Sequence, residues 1–170
     1  MSENESGARS VDEPNVPDGY ELREGTPSIA SFRRIRGRAG MTDRPANALA
    51  DGLSNTTYGV HVERAREDGR CDGPDHRRSD GDTESVAMGR IVGDGATAFL
   101  IADVAVAERH QGRGLGTAVM DTLMNWLREH APAGGYVYLF ADVDGFYQRW
   151  GFEPSAPAST GLWIRTSELS

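Results

Sequence analysis

The clearest hydrophobic pattern of the chain lies between residues 115 and 127. Apolar or threonine side chains recur there at intervals of three and four residues: Leu115, Ala118, Val119, Thr122, Leu123, Trp126 and Leu127. This spacing puts them on one face of a helix, because an α-helix turns once in about 3.6 residues. The pattern predicts an amphipathic helix that packs its apolar face on a sheet.

The remaining pattern predicts two further helices and several short strands. The first helix opens at Pro27 and Ser28, and the second covers residues 45–53. Asp94 and Gly95 are typical of a tight hairpin turn. Runs rich in β-branched, aromatic and aliphatic residues predict six strands: residues 20–23, 57–63, 85–92, 97–106, 136–141 and 161–166.

Two acidic segments interrupt this pattern. Residues 1–18 hold five acids and one arginine, giving −4, and residues 65–84 hold seven acids and four arginines, giving −3, of a net charge of −8. Both are poor in apolar side chains and lack periodicity. We therefore predict a disordered tail at 1–18 and a charged loop at 65–84 inside a single domain of residues 19–170.

The composition favours a soluble protein that stays in the cytoplasm. The 170 residues are 38% hydrophobic without a long apolar run, and the N-terminus is acidic and polar, so we expect neither a membrane span nor a signal peptide. One cysteine excludes an intrachain disulfide, and four scattered histidines lack metal-ligand spacing. We expect no metal and no membrane partner.

All 18 basic residues are arginines, because the sequence contains no lysine. With the acidic excess, this predicts a GC-rich genome or a salt-adapted, halophilic host. Four arginines cluster near the first predicted helix, at Arg33, Arg34, Arg36 and Arg38. We interpret them as a solvated helix face and expect no nucleic-acid partner.

Candidate chemistry begins at the glycine-rich turn of residues 111–116, which joins a strand-like run to the amphipathic helix. The first turn of a helix carries N–H groups without intrahelical partners and the positive end of the helix dipole, so it binds anions. A dinucleotide fingerprint is excluded, since Thr117 stands where its last glycine is required. A P-loop is excluded because it needs a lysine.

This turn resembles the pyrophosphate loop of the GNAT superfamily of acyl-CoA-dependent N-acyltransferases. That loop has the form Q/R-x-x-G-x-G/A after the fourth strand, and Gln111, Gly114 and Gly116 fit it without a gap. Further on, residues 147–152 resemble the family's Tyr-x-x-x-Gly-Phe segment, which lies in a helix after strand five. The resemblance implies an α/β (α+β) fold with a mixed, mainly antiparallel central sheet flanked by helices.

The resemblance also implies acetyl-CoA as co-substrate. In the family, strand four splays from strand five and lines the pantetheine arm, which implies main-chain contacts from Val104, Ala105 and Val106, with the Val104 N–H as oxyanion donor. The other residues implied in cofactor binding are Gln111, Gly112, Arg113, Gly114, Leu115, Gly116, Thr117, Asp142 and Phe146. Residues 108–110 depart from the family's sequence, in which a proline is common before the loop. This departure concerns how the chain leaves strand four and not the binding of phosphate.

Acyl transfer needs a proton acceptor for the amine and a proton donor for the thiolate. The resemblance implies Tyr147 as the donor, and simple aromatic packing is its alternative role. Asp103 is the candidate base because it breaks an otherwise apolar strand. It fits equally well as a strand-end acid bonded to a backbone N–H, and Asp142 or a chain of waters is the substitute base.

The acceptor is the least determined part of the prediction. The family's first two helices, their loop and its last hairpin imply acceptor contacts from Met41, Arg44, Asn55, Tyr58 and Trp163. They fit a primary amine of a small molecule or peptide, attacking directly in a ternary complex. A non-catalytic acyl-CoA-binding or regulatory domain is the alternative function, and both a monomer and a homodimer stay open.

Overall fold

The computed structural model describes residues 14–65, 83–162 and 164–168. The chain divides into two compact units, residues 1–139 and 140–170. The domain predicted at 19–170 stays a prediction. The first unit contains β1 (Tyr20–Glu24), α1 (Ile29–Arg38), α2 (Ala46–Ser54), β2 (Tyr58–Ala65), β3 (Thr83–Gly93), β4 (Ala98–Val106), α3 (Leu115–His130) and β5 (Tyr136–Tyr138).

The five strands form one sheet in the order of the sequence. The first three pairs are antiparallel and β4 with β5 is parallel, so the predicted mixed, mainly antiparallel sheet is confirmed. β5 pairs only with the first three residues of β4, Ala98 to Leu100. Among the described residues, no strand pairs with the remainder of β4 on that side.

Helices α1 and α3 cover opposite faces of the sheet. Met88 of β3 belongs to a buried cluster with Phe32 and Ile35 of α1. The next position, Gly89, faces α3, since a Cβ built there would lie against Val119. Successive strand residues point to opposite faces, which explains this alternation.

The predicted helices are confirmed, with small changes at their ends. Ser28 caps α1, and its Oγ accepts a hydrogen bond from the Ser31 N–H at 3.2 Å. α3 continues to His130, three residues past the end of its apolar pattern, because no helix-breaking residue occurs before Pro132. None of the helices in the described ranges is both long and apolar enough to cross a bilayer.

Some predicted strand ends are wrong. β2 reaches Ala65 and β3 begins at Thr83, inside the segment predicted as a loop, because the two strands pair through their polar ends. β5 stops at Tyr138 instead of residue 141. Residues 66–82 of the predicted loop and 1–13 of the predicted tail lie outside the described residues.

The second unit contains little regular structure. Its described elements are 3₁₀ turns at Tyr147–Trp150 and Thr166–Glu168, so the helix expected after strand five is a single turn. The closing strand predicted at 161–166 is wrong at its described positions, which are irregular apart from the turn at its end. Leu162 and Ile164 are exposed, and Trp163 lies outside the described residues. Strand-forming residues make a strand only with a pairing partner.

Candidate active site

A β-bulge in β4 is the irregularity on which the candidate site is built. The register between β3 and β4 shifts between Met88 and Arg90. As a result, Asp103 and Val104 lie together opposite Gly89. Asp103 has a φ of 54°, a positive value that non-glycine residues rarely adopt. The two side chains of the bulge point to opposite faces of the sheet.

The bulge requires a glycine across from it. A Cβ at Gly89 would lie 2.6 Å from Val119 Cγ1, 3.0 Å from Leu123 Cδ1 and 3.4 Å from Val104 Cγ2. Contacts under 3 Å force neighbouring atoms to move. α3 therefore packs closely on the sheet at the bulge, and this contact fixes the start of α3 relative to β4.

Beyond Leu100, one edge of β4 has no strand beside it in the part of the chain that the structure describes. The backbone groups on such an edge are free to bind an extended ligand. The predicted cofactor contacts Val104, Ala105 and Val106 all lie on this stretch. The structure thus brings these three residues to one unpaired edge.

The glycine turn follows directly. Gly112 and Gly114 have φ values of 72° and 85°, where any other residue would be strained. Gly114 is the N-cap of α3 and supplies no side-chain cap, so the first N–H groups of the helix depend on another acceptor. Gln111 ties the turn to β4, since its Nε2 donates to the Val106 carbonyl at 2.9 Å.

The other predicted residues of the turn differ in exposure. Leu115 is buried and anchors the helix start in the core, whereas Arg113 is exposed. Gly116 and Thr117 lie in the first turn of α3 and are half-buried. The structure therefore places all the residues that are predicted to bind the pyrophosphate, 111–117, at one helix N-terminus.

A buried histidine supports the turn from behind. His110 lies 2.9 Å from the hydroxyl oxygen of Tyr20 in β1 through Nδ1. Burial lowers the pKa of His110, and the positive charge of Arg64 lowers it further. This imidazole is therefore neutral near neutral pH, and its ring holds the 3₁₀ turn before the glycines against the sheet.

Asp103 is held by two arginines. Arg36 of α1 donates from Nη1 to Oδ1, and Arg90 of β3 donates from Nε to Oδ2 at 2.6 Å. The Asp103 and Arg36 side chains are each only 3% exposed. Because both carboxylate oxygens already accept from guanidinium groups, we withdraw Asp103 as the candidate base. The alternative role, a strand-end acid bonded to a backbone N–H, is also wrong, because the partners of Asp103 are guanidinium groups.

Arg36 is the residue that the sequence interpretation missed. The sequence pattern predicts a solvated helix face for it, yet it lies on the buried face of α1 beside Phe32. Its Nε and Nη2 donate to the Thr42 carbonyl at 3.1 and 2.5 Å. Burial lowers the pKa of Arg36, Asp103 opposes this, and the positive charges of Arg44 and Arg90 lower it again. The signal in the sequence was an arginine at the i+4 position from Phe32 in the apolar stripe.

The predicted acceptor residues are only partly brought together. Met41 is half-buried against the cluster under α1, and Arg44 is exposed on the same segment. Asn55 ends α2, where its side chain donates to Asp51 O. A shallow depression beside the bulge, too small to enclose a water molecule, is lined by Thr26, Pro27, Phe32, Met88, Gly89, Arg90 and Asp103.

Tyr58 does not belong to this group. Its ring stacks on Trp126 of α3 with the centroids 5.1 Å apart, on the face of the sheet opposite α1. Its hydroxyl donates to Glu24 at 2.9 Å. Burial and this carboxylate raise the pKa of Tyr58. The tyrosine therefore helps to pack α3, and we withdraw it as an acceptor contact.

Two predicted residues of the second unit, Phe146 and Asp142, interact with Tyr147. This tyrosine is buried, and burial raises its pKa, with the negative charge of Asp142 adding to the effect. The Phe146 ring lies edge-on to Tyr147 and to Trp150, with centroid distances of 5.0 and 5.1 Å. A phenol with a raised pKa keeps its proton at neutral pH, as a proton donor must.

No group of three His, Cys, Asp or Glu side chains within the described ranges is arranged to bind a metal ion. In the first unit the candidate residues offer backbone N–H groups and arginines, and in the second unit they offer a buried tyrosine.

Comparisons with known proteins agree with this geometry. Residues 78–154 match the family model of the acetyltransferase (GNAT) domain. The chloroplastic GCN5-related N-acetyltransferase 2 of Arabidopsis thaliana is 31% identical over 132 residues, which cover 74% of this chain and 50% of that protein. The chain spans about half the length of the curated relatives it matches.

Solved structures share the fold. A probable acetyltransferase from meticillin-resistant Staphylococcus aureus is 29% identical with a TM-score of 0.71, covering 86% of this chain and 98% of its own. A Mycobacterium tuberculosis protein in complex with CoA is 16% identical with a TM-score of 0.54, covering 86% of this chain and 77% of its own, and this likeness concerns the fold alone. From the domain match, the relatives and the sheet with its glycine turn, the chain belongs to the GNAT family of acetyltransferases.

Proposed function

We propose that this protein transfers the acetyl group of acetyl-CoA to a primary amine of a small molecule or peptide, by direct attack in a ternary complex. The observation that carries the proposal is the continuous segment formed by the bulged β4, the glycine turn and the N-terminus of α3. One end of this segment has a strand edge without a described neighbouring strand, and the other end has a helix N-terminus suited to bind an anion. A CoA molecule needs both, since it has an extended amide arm and a pyrophosphate.

In this proposal the pyrophosphate accepts hydrogen bonds from the N–H groups of residues 112–117. The positive φ of Gly112 and Gly114 supports it, because these glycines let the main chain approach an anion closely. Val104 and Val106 bond the pantetheine arm through their backbone groups, and Ala105 lies between them in the strand. Support for CoA also comes from the Mycobacterium tuberculosis structure of the same fold, which contains it.

The reaction follows from these contacts. The lone pair of the amine forms a bond to the thioester carbonyl carbon, and the Val104 N–H stabilises the resulting oxyanion. The C–S bond then breaks, and the Tyr147 hydroxyl donates its proton to the departing thiolate. The amine nitrogen loses a proton to water, a proton from water restores the Tyr147 phenol, and the products are the N-acetylated amine and CoA. The mechanism requires the Tyr147 hydroxyl to reach the sulfur.

We assign no side chain as the base. Asp103 is paired with two arginines, and Asp142 is exposed, where it raises the pKa of Tyr147. A chain of waters is therefore the proton acceptor in the proposal, and Asp142 is the alternative acceptor.

The experiment is thiol release from acetyl-CoA against a panel of small amines, amino acids and peptides, at low and multimolar salt. Mass spectrometry of the acceptor shows whether the acetyl group reaches nitrogen. We expect thiol release that depends on one acceptor class and yields its acetyl amide. Tight acetyl-CoA binding without turnover on any acceptor would contradict the proposal and favour a non-catalytic binding domain.

A further inference from the structure

The segment between α1 and α2 and the face of the bulge under it hold more positive than negative charge. Arg33 is matched by Asp43, because its Nε and Nη2 bond the two carboxylate oxygens at 3.3 and 2.6 Å. Arg36 and Arg90 share the single carboxylate of Asp103. The protein as a whole has a net charge of −8, so this local excess runs against its composition.

Arg44 adds a further charge to the same place. It lies two residues after Thr42, whose carbonyl accepts two hydrogen bonds from Arg36. Its positive charge lowers the pKa of Arg36, which means that the two guanidinium groups lie close enough to repel each other. No described residue accepts a hydrogen bond from the Arg44 side chain, and the side chain is exposed. Asp103 thus neutralises one charge of the Arg36–Arg90 pair, and Arg44 adds a third positive charge near Arg36.

Arg90 retains hydrogen-bonding capacity at one nitrogen of its guanidinium group. Its Nε is bonded to Asp103 and its Nη1 to the Gly52 carbonyl at 2.8 Å. Nη1 also donates to the Thr56 hydroxyl at 3.2 Å, whereas for Nη2 the described residues provide no acceptor, and the side chain is 16% exposed. A guanidinium fixed by its neighbours is pre-organised for a carboxylate or phosphate oxygen.

We propose that Arg44 and Arg90 select an acceptor amine that carries an anionic group, a carboxylate or a phosphate. Arg90 binds Asp103, which precedes Val104 in the bulge, and Val104 is the oxyanion donor of the proposed function, on which this inference rests. An anion bound there would bring its amine next to the thioester. Arg36 keeps Arg90 and the 41–44 segment in place, so it is a positioning residue.

The test measures binding to the complex of the full chain with CoA by calorimetry, with pairs of amines that differ only in the anion. The pairs are phenylalanine with phenethylamine and phosphoethanolamine with ethanolamine, which separate the carboxylate from the phosphate. We expect the anionic member of at least one pair to bind about tenfold more tightly. We also expect Arg44→Gln to abolish most of that difference, and multimolar salt to weaken it.

Arg128→Gln is the matched control, because it removes the same charge from an exposed position at the end of α3. Equal binding of both members in both pairs would overturn the inference, and so would an unchanged preference in Arg44→Gln. Thiol release with neutral amines alone would overturn it while leaving the acetyltransferase intact. A preference for the anionic amine without thiol release would support the inference and contradict the proposed function.

Discussion

At the scale of single residues, Asp103 combines a positive φ with two guanidinium partners in the middle of a strand. Removing its charge leaves Arg36 buried without a counter-ion. We expect Asp103→Asn to lower the free energy of unfolding by about 3 kcal/mol, measured by urea denaturation. Asparagine tolerates the positive φ, so the loss reports the charge.

The control for this change is Asp43→Asn, which breaks an exposed pair with Arg33 and is expected to leave stability unchanged within error. If Asp103→Asn were fully stable and had lost only its turnover, the carboxylate would be the base after all.

Tyr147 is the residue on which the chemical step depends. We expect Tyr147→Phe to lower kcat by about a hundredfold, because the thiolate then leaves without a proton, while the affinity for acetyl-CoA is unchanged. Thiol-release kinetics measure both quantities. Tyr138→Phe removes the same hydroxyl from an exposed position on β5 and serves as the control. Turnover that is normal in Tyr147→Phe would remove this residue from the mechanism.

The raised pKa of Tyr147 also predicts how stability depends on pH. Its folded pKa lies above the unfolded value of about 10. The neutral phenol therefore contributes stability that is fully present below pH 10 and is lost as the pH rises through the folded pKa. Between pH 8 and pH 11, we expect the wild type to lose more stability in urea denaturation than Tyr147→Phe. Parallel losses in the two proteins would show that the phenol is not buried.

At the scale of elements, the contact between α3 and the bulge depends on Gly89. We expect Gly89→Ala to destabilise the protein by about 2 kcal/mol, because its Cβ would lie 2.6 Å from Val119 Cγ1. Gly52→Ala is the control, since that glycine lies in α2 with nothing within 4 Å of its Cβ position, and we expect it to stabilise by about 0.5 kcal/mol. Thermal and urea unfolding measure both. A neutral Gly89→Ala would mean that α3 does not pack at the bulge.

The elements that the sequence predicts well are those with their own local signal. The apolar stripe of α3, the Ser28 cap of α1 and the glycines of the turn are all properties of neighbouring residues. The sequence predicts longer strands at β5 and at the irregular 161–166 segment, because the residues there favour strands. Pairing decides the outcome there, and it depends on residues far away in the sequence.

The ion-paired centre of the site could be predicted only in part. Asp103 was noticed as a charge in an apolar strand, but its partners Arg36 and Arg90 lie 67 and 13 residues away. The bulge that turns Asp103 toward α1 depends on the β3–β4 register, which a strand pattern does not contain. A buried charge needs a partner of opposite charge. The arginine in the apolar stripe of α1 and the aspartate in β4 are therefore a pair that the sequence alone could suggest.

At the scale of the whole molecule, composition and family give different kinds of information. The acidic, lysine-free sequence is the basis for expecting a salt-adapted host, and its polar start for expecting the cytoplasm; both stay predictions. The family match concerns residues 78–154, which contain β3, β4, the glycine turn, α3 and Tyr147. The segment between α1 and α2 lies outside that match and supplies Arg44, whereas Arg90, the other arginine that we connect with the acceptor, lies in β3 inside it.

The central claim is that the α3 N-terminus binds the pyrophosphate of acetyl-CoA, and calorimetry of acetyl-CoA binding to Gly114→Glu and Gly95→Glu tests it most directly. Both glycines have positive φ and open space at the Cβ position, so the two variants carry similar strain and charge. Only Gly114 lies at the helix start. We expect the wild type and Gly95→Glu to bind acetyl-CoA and Gly114→Glu to lose binding; equal binding by all three would contradict the account.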